Sequence, residues 1–239
     1  MRCLGLLGGM SWESTALYYR LLNQQVAARL GGLHSARLLL HSVDFAPLAA
    51  LQAQGRWDEA ADVLAQAACG LRDAGAAGLA LATNTMHKVA GRIEAASGLP
   101  LLHIADATGA AVAAAGLSHV ALLGTRFTME DPAIVVDRLQ HRFGLRVSVP
   151  DDEDRAEVHR VIYDELCRGV VSDMSRAAYR GIIDRLRERG AEGVILGCTE
   201  ITLLIDAAGS SLPVFDSTAL HAAAAVDWML TDAEPGVPR

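Results

Sequence analysis

The sequence predicts an α/β protein made of two homologous halves, each an open parallel sheet covered by helices. Three observations carry this. Short apolar runs alternate along the chain with longer stretches of helical period. The chain repeats itself once at nearly constant spacing, and it contains no low-complexity segment or long linker. Runs that are apolar at every position mark strands buried on both faces, the habit of parallel sheets. Their alternation with helices places those helices on both sides of each sheet.

The elements follow in order. MRCLGLLGGMSWES has one basic residue and a short apolar stretch, then Trp12 and Glu13 with no small-residue cleavage site. It reads as a first strand and not as a signal peptide. SWESTALYYRLLNQQVAARL has helical period, SARLLLHSVDF is a second strand, RWDEAADVLAQAACGLRDAG a second helix and AGLALAT a third strand. The repeat then becomes visible. RDAGAAGLALATNTMHKV from Arg72 matches RERGAEGVILGCTEITLL from Arg187, and GLLGGMS from Gly5 matches ALLGTRFTM from Ala121. Downstream, GLPLLHIADATGAA from Gly98 matches SLPVFDSTALHAAA from Ser211. Gly8 to Thr83 spans 75 residues and Gly124 to Cys198 spans 74. The expected halves are 1–104 and 105–211, facing each other across a pseudo-twofold axis, with 212–239 returning to the first. The tail TDAEPGVPR reads as a frayed end.

Composition removes several function classes. At 239 residues, roughly 70–75% of the unfolded chain's surface is expected to be buried, so no disulfide or metal is needed for stability. The chain is 51% hydrophobic and 21% charged, an ordinary globular profile. A formal charge of -7 argues against nucleic acid or an anionic membrane as the main partner. No apolar run approaches the roughly 20 residues of a membrane span. Cys3, Cys69, Cys167 and Cys198 are scattered, which fits reduced thiols in a cytoplasm. The first three read as packing residues. Of 21 basic residues only Lys88 is lysine, so a pyridoxal Schiff base could form nowhere else. The eight histidines show no metal-ligand spacing, and His34 and His41 read as surface groups. Gly5, Gly8 and Gly9 lack a phosphate-loop lysine, and Ser11 is not in a nucleophile elbow.

Ligands of open α/β sheets bind beyond the carboxyl ends of the strands. Four polar turns fall there: Gly8-Gly9-Met10-Ser11, Thr83-Asn84-Thr85, Gly124-Thr125-Arg126 and Cys198-Thr199-Glu200. Each precedes a helix, whose first N–H groups and positive dipole end suit a small carboxylate. The repeat makes Thr83 and Cys198 equivalent, two groups that could meet one carbon from opposite faces and exchange its proton. A strand end before a helix lowers a thiol's pKa. The plainer readings are an inert cysteine after a strand and, for Thr83, a helix cap.

At these residues the sequence resembles the aspartate/glutamate racemase family. The matching blocks are GLLGGMSWEST at Gly5, TNTMHKVA at Thr83, ALLGTRFTM at Ala121, IYDELCRG at Ile162, GCTEI at Gly197 and LPVFDS at Leu212. They run in order over nearly the whole chain. The resemblance implies two α/β halves with the active site between them, and two-base proton exchange at the α-carbon of an acidic amino acid. No pyridoxal, other cofactor or metal is implied. Carried over residue by residue, Cys198 is the acid/base of the second half and Thr83 stands opposite. Asn84, Thr85, Thr125, Thr128 and Thr199 line the substrate, Met10 and Gln52 meet it, and Glu200 orients Cys198 or the ammonium group. There is one departure: most members carry cysteine where this chain has Thr83. A hydroxyl is a far weaker acid than a thiol of pKa ~8.5, so Thr83 suits relaying or donating a proton better than removing one. That departure keeps two rivals open, a one-cysteine decarboxylase or isomerase of small dicarboxylates and a dicarboxylate-binding protein without turnover. A homodimer is the expected assembly.

Overall fold

The computed structural model describes residues 1–231; the last eight residues of the TDAEPGVPR tail lie outside the described residues. The chain forms two compact units. One is Met1–His103 together with residues 221–231, and the other is Ile104–Leu220.

In the first unit the elements are β1 (Leu4–Gly8), α1 (Trp12–Leu30), β2 (Leu38–Ser42), α2 (Phe45–Ala53), α3 (Trp57–Asp73), β3 (Gly78–Leu81), α4 (Ala90–Ser97) and β4 (Leu101–Leu102). All strand pairs are parallel, in the order β2-β1-β3-β4. Successive residues of the central strands serve opposite faces. Leu7, Leu79 and Leu81 pack with Leu64 and Leu71 of α3. Leu4, Leu6, Ala80 and Ala82 pack with Tyr18, Leu22 and Val26 of α1, and with Val226 and Met229 near the chain's end. Each leucine so buried contributes on the order of 1.5–3 kcal/mol, and those contacts hold the strand ends in register.

The second unit runs α5 (Ile104–Ala114), β5 (His119–Leu123), α6 (Arg126–Glu130), α7 (Val136–Phe143), β6 (Arg146–Ser148), α8 (Asp152–Asp164), α9 (Asp173–Glu188), β7 (Gly193–Leu196) and β8 (Val214–Asp216), with α10 (Ser217–Leu230) starting there. Its strand order, β6-β5-β7-β8, repeats that of the first sheet, again all parallel. Ala121, Leu123, Val194 and Leu196 pack on α8 and α9, and Val120, Leu122 and Ile195 pack towards α5 and α7. The repetition extends to single hydrogen bonds beyond the strands. Ala82 N donates to Leu7 O at 2.9 Å, and Gly197 N donates to Leu123 O at 2.7 Å.

Two details differ from the sequence reading. The segment after 212 does not leave the second unit at once, because β8 pairs with β7; the chain re-enters the first unit at His221. And β2, although continuously apolar at its start, is an edge strand whose Leu40, His41 and Ser42 are exposed. Apolar runs report burial on two faces only for strands with neighbours on both sides.

Candidate active site

The four polar turns lie beyond the carboxyl ends of β1, β3, β5 and β7. In the first unit, the β1 turn is built around two glycines. Gly9 has φ +89°, and a Cβ there would stand 2.2 Å from the Val43 carbonyl oxygen; one on Gly8 would strike the Thr15 side chain at 2.4 Å. Gly9 N donates to Thr15 Oγ1 at 2.8 Å, Thr15 Oγ1 donates to Ser11 O at 2.7 Å, and Ser11 caps α1. The Met10 side chain packs in the core with Leu7, Leu48 and Met86. Gln52 of α2 is buried, and its Nε2 donates to Met86 Sδ at 2.9 Å, tying α2 to the TNTMH segment.

Thr83 stands two residues beyond β3 and is half-buried; Asn84 and Thr85 behind it are buried. The segment Thr85–Val89 is a single 3-10 turn. His87 folds back from it and its Nδ1–H donates to the Thr83 carbonyl at 2.8 Å. Burial, followed by the neighbouring His103 and His221, pushes the His87 pKa well below the ordinary imidazole value. Lys88 lies with its Nζ 4.5 Å from the Trp57 ring centroid, a cation–π contact that gives the lysine a place in this unit.

In the second unit, Thr125 caps α6. Its Oγ1 accepts from Thr128 N at 3.4 Å, and the two hydroxyls lie 3.3 Å apart. Thr128 is fully buried, with its hydroxyl beside that of Thr125. Cys198 stands two residues beyond β7, the position that Thr83 has after β3. Its Sγ donates to Glu200 Oε2 at 2.9 Å, and Thr199 Oγ1 donates to the same oxygen at 2.7 Å.

This arrangement corrects one expectation. The thiol is not acidified: desolvation first, then the charge and hydrogen bond of Glu200, hold its pKa well above the ordinary cysteine value. The helix that follows, Thr199–Leu203, is one 3-10 turn, and so short a stack of peptide dipoles cannot offset a carboxylate in contact with the sulfur. At rest the sulfur keeps its proton and donates it in a hydrogen bond to the Glu200 carboxylate.

The sequence reading passed over Tyr163, although IYDELCRG contains it. Burial raises the Tyr163 phenol, and the charges of Cys198, Cys167 and Glu200 act on it as well. It borders a cleft of about 530 Å³ between α6 and α8, lined also by Arg126, Glu130, Arg155, His159 and Arg160. Cys167 is exposed and not a packing residue, because Leu166–Arg168 is a 3-10 turn whose leucine takes the buried position.

A profile of the Asp/Glu/Hydantoin racemase family matches residues 7–225. Among solved structures, a protein from Yersinia pestis provisionally designated an Asp/Glu racemase is 55% identical, with TM-score 0.92 over 96% of this chain and 100% of that one. An aspartate racemase homologue from Pyrococcus horikoshii is 32% identical, with TM-score 0.82 over 96% and 99% of the two chains. The aspartate racemase of Picrophilus torridus, at 20% identity, shares the fold with TM-score 0.75 over 96% and 94%. A motif order legible along the whole sequence, a doubled four-stranded parallel sheet and these likenesses agree: the chain belongs to the Asp/Glu/hydantoin racemase family.

Proposed function

We propose that the protein racemises an acidic amino acid, aspartate or glutamate, by proton exchange at the α-carbon without pyridoxal or metal, Cys198 serving one face and Thr83 the other. The observation that carries this is the Cys198–Glu200 contact of 2.9 Å at a turn equivalent in register to that of Thr83. Glu200 takes the thiol proton, and the thiolate so formed removes the α-hydrogen facing it. Thr199, hydrogen-bonded to the same carboxylate oxygen, steadies the anion of the pair. Charge that builds on the substrate's α-carboxylate is met by backbone N–H groups of the polar turns. The Thr83 hydroxyl gives its proton to the opposite face of the carbanion and regains one from solvent as Glu200 releases the one it took; in the reverse direction the Thr83 alkoxide removes the α-hydrogen that faces it.

A thiol and a hydroxyl make an asymmetric pair. The two enantiomers are equal in free energy, so kcat/KM for inversion is the same in both directions whatever the residues. The asymmetry therefore falls on exchange with retention: the enantiomer whose α-hydrogen faces Cys198 takes up solvent deuterium faster than it inverts. The test is NMR of L- and D-aspartate and L- and D-glutamate with the purified protein in deuterated water, without added pyridoxal. Deuterium uptake with inversion supports the reading. Binding without uptake, seen as ligand-induced stabilisation alone, would replace it with a dicarboxylate-binding protein.

A further inference from the structure

Behind the Thr83 turn the first unit buries three histidines and a tyrosine that the proposed proton exchange does not use. His87 is 3% exposed, His103 8%, His221 0% and Tyr18 1%. Polar groups so deep in a core are costly unless they find partners, and His87 and His221 find backbone carbonyls. His221 of α10 has its Nε2 2.8 Å from the Leu102 carbonyl, which can only accept, so Nε2 carries hydrogen. Its Nδ1 lies 2.8 Å from the Tyr18 hydroxyl of α1, so both ring nitrogens are in hydrogen bonds. The His87 ring stands edge-on to His221 at 5.7 Å between centroids and tilted against His103 at 4.5 Å. A second charge cannot enter this group cheaply, because each neighbour is itself an imidazole held in a desolvated site. Among the described residues no group of His, Cys, Asp and Glu is arranged to hold a metal ion. What the cluster does reach is the turn: His87 Nδ1 is 2.8 Å from the Thr83 carbonyl.

We infer that His87 is a positioning residue for Thr83: as the neutral Nδ1–H tautomer, wedged between His103 and His221, it pins the Thr83 carbonyl and so fixes where the Thr83 hydroxyl is presented. The inference rests on the reading of Thr83 as the proton donor of one face. A threonine that must give a proton to carbon has no acidity in reserve, so its placement carries what its pKa does not. The groups acting on His87 are His103, just after β4, His221 on α10 and, through its contact with His221, Tyr18 on α1. Acid that charges His87 leaves the Nδ1–H bond in place but puts a cation among desolvated imidazoles, which loosens the packing that holds the turn.

The experiment compares wild type with His87→Leu and His87→Asn. Asparagine places an N–H donor where Nδ1 stands but has no titrating ring. His87→Leu is expected to lower inversion by about 10²-fold, the scale of an ångström of misplacement, mostly in kcat. Deuterium uptake with retention by the Cys198-facing enantiomer stays near the wild-type rate. His87→Asn restores most of the inversion and loses the acid limb of its pH profile. In parallel, ¹⁵N NMR of histidine-labelled wild type shows His87 as the Nδ1–H tautomer at neutral pH. A His87 protonated on Nε2 alone, inversion unchanged in His87→Leu, or His87→Asn no better than His87→Leu would each overturn the inference. A wild type that exchanges no α-proton, yet shows the Nδ1–H tautomer, removes the racemase reading and with it His87's part in turnover.

Discussion

The turns after β3 and β7 occupy the same place in sheets of the same strand order, and they are backed by opposite chemistry. Two residues beyond Thr83 stands Thr85, whereas two residues beyond Cys198 stands Glu200, in contact with the sulfur. Four residues beyond Thr83 stands His87, neutral and buried among imidazoles; four beyond Cys198 stands Thr202, whose hydroxyl donates to the Thr199 carbonyl at 2.7 Å. Both turns are pinned by a side chain bonded to one of their own carbonyls. In the second, a carboxylate stands in contact with the sulfur. A duplicated scaffold thus repeats the positions of Thr83 and Cys198 without repeating their surroundings. On the proposed reading, the thiol side removes and returns a proton readily and the hydroxyl side chiefly gives one.

The sharpest way to break the comparison is to delete the thiol. Cys198→Ala is expected to lower both exchange and inversion by about 10²–10⁴-fold, the usual contribution of a positioned acid/base group. Residual exchange near the wild-type rate, measured by NMR in deuterated water, would remove Cys198 from the site.

How much of this was legible in the sequence follows from the range of each interaction. The sheets were, because β1, β3, β5 and β7 are buried throughout and their apolar runs recur at matched spacing. The late return at His221 was not, because LPVFDS reads alike whether β8 pairs with β7 or starts a crossing. Cys198, Thr199 and Glu200 were legible as neighbours, but spacing alone does not say that the Glu200 carboxylate faces the sulfur. A thiol before a helix is acidified by the dipole and restrained by a carboxylate, and only geometry decides between them. The histidine cluster had no local signature at all: residues 87, 103 and 221 meet only once the sheet and α10 are in place.

A second substitution separates the two roles of Glu200. In Glu200→Gln the proton acceptor is gone, and exchange at neutral pH is expected to fall by about 10²-fold. The thiol must then lose its proton to solvent, and burial, the largest cause of its raised pKa, remains, so the rise of activity with pH moves to higher pH. A pH–rate profile displaced the other way would contradict the assignment. Thr83→Cys sharpens the comparison from the other side. It gives both faces a thiol, so exchange with retention no longer runs ahead of inversion for one enantiomer alone.

The smallest expected effect is on stability. His87 has a folded-state pKa below its unfolded value near 6.5, so the unfolded chain binds the proton first as pH falls. Its contribution to stability is complete above about pH 6.5 and is lost as pH drops through that value towards the folded pKa. Thermal unfolding of wild type between pH 8 and pH 5 is expected to show that loss, and His87→Asn a shallower slope. Parallel slopes would mean that the cluster is not the group being charged.

The central claim is that one face of the α-carbon meets a thiol–carboxylate pair and the other a hydroxyl. The most direct measurement follows, enantiomer by enantiomer, deuterium uptake and inversion of aspartate and glutamate by the unmodified enzyme. One enantiomer is expected to gain deuterium well ahead of its inversion, while its mirror image gains deuterium only as fast as it inverts. Equal precedence of exchange over inversion for both enantiomers would show two alike faces and contradict the account.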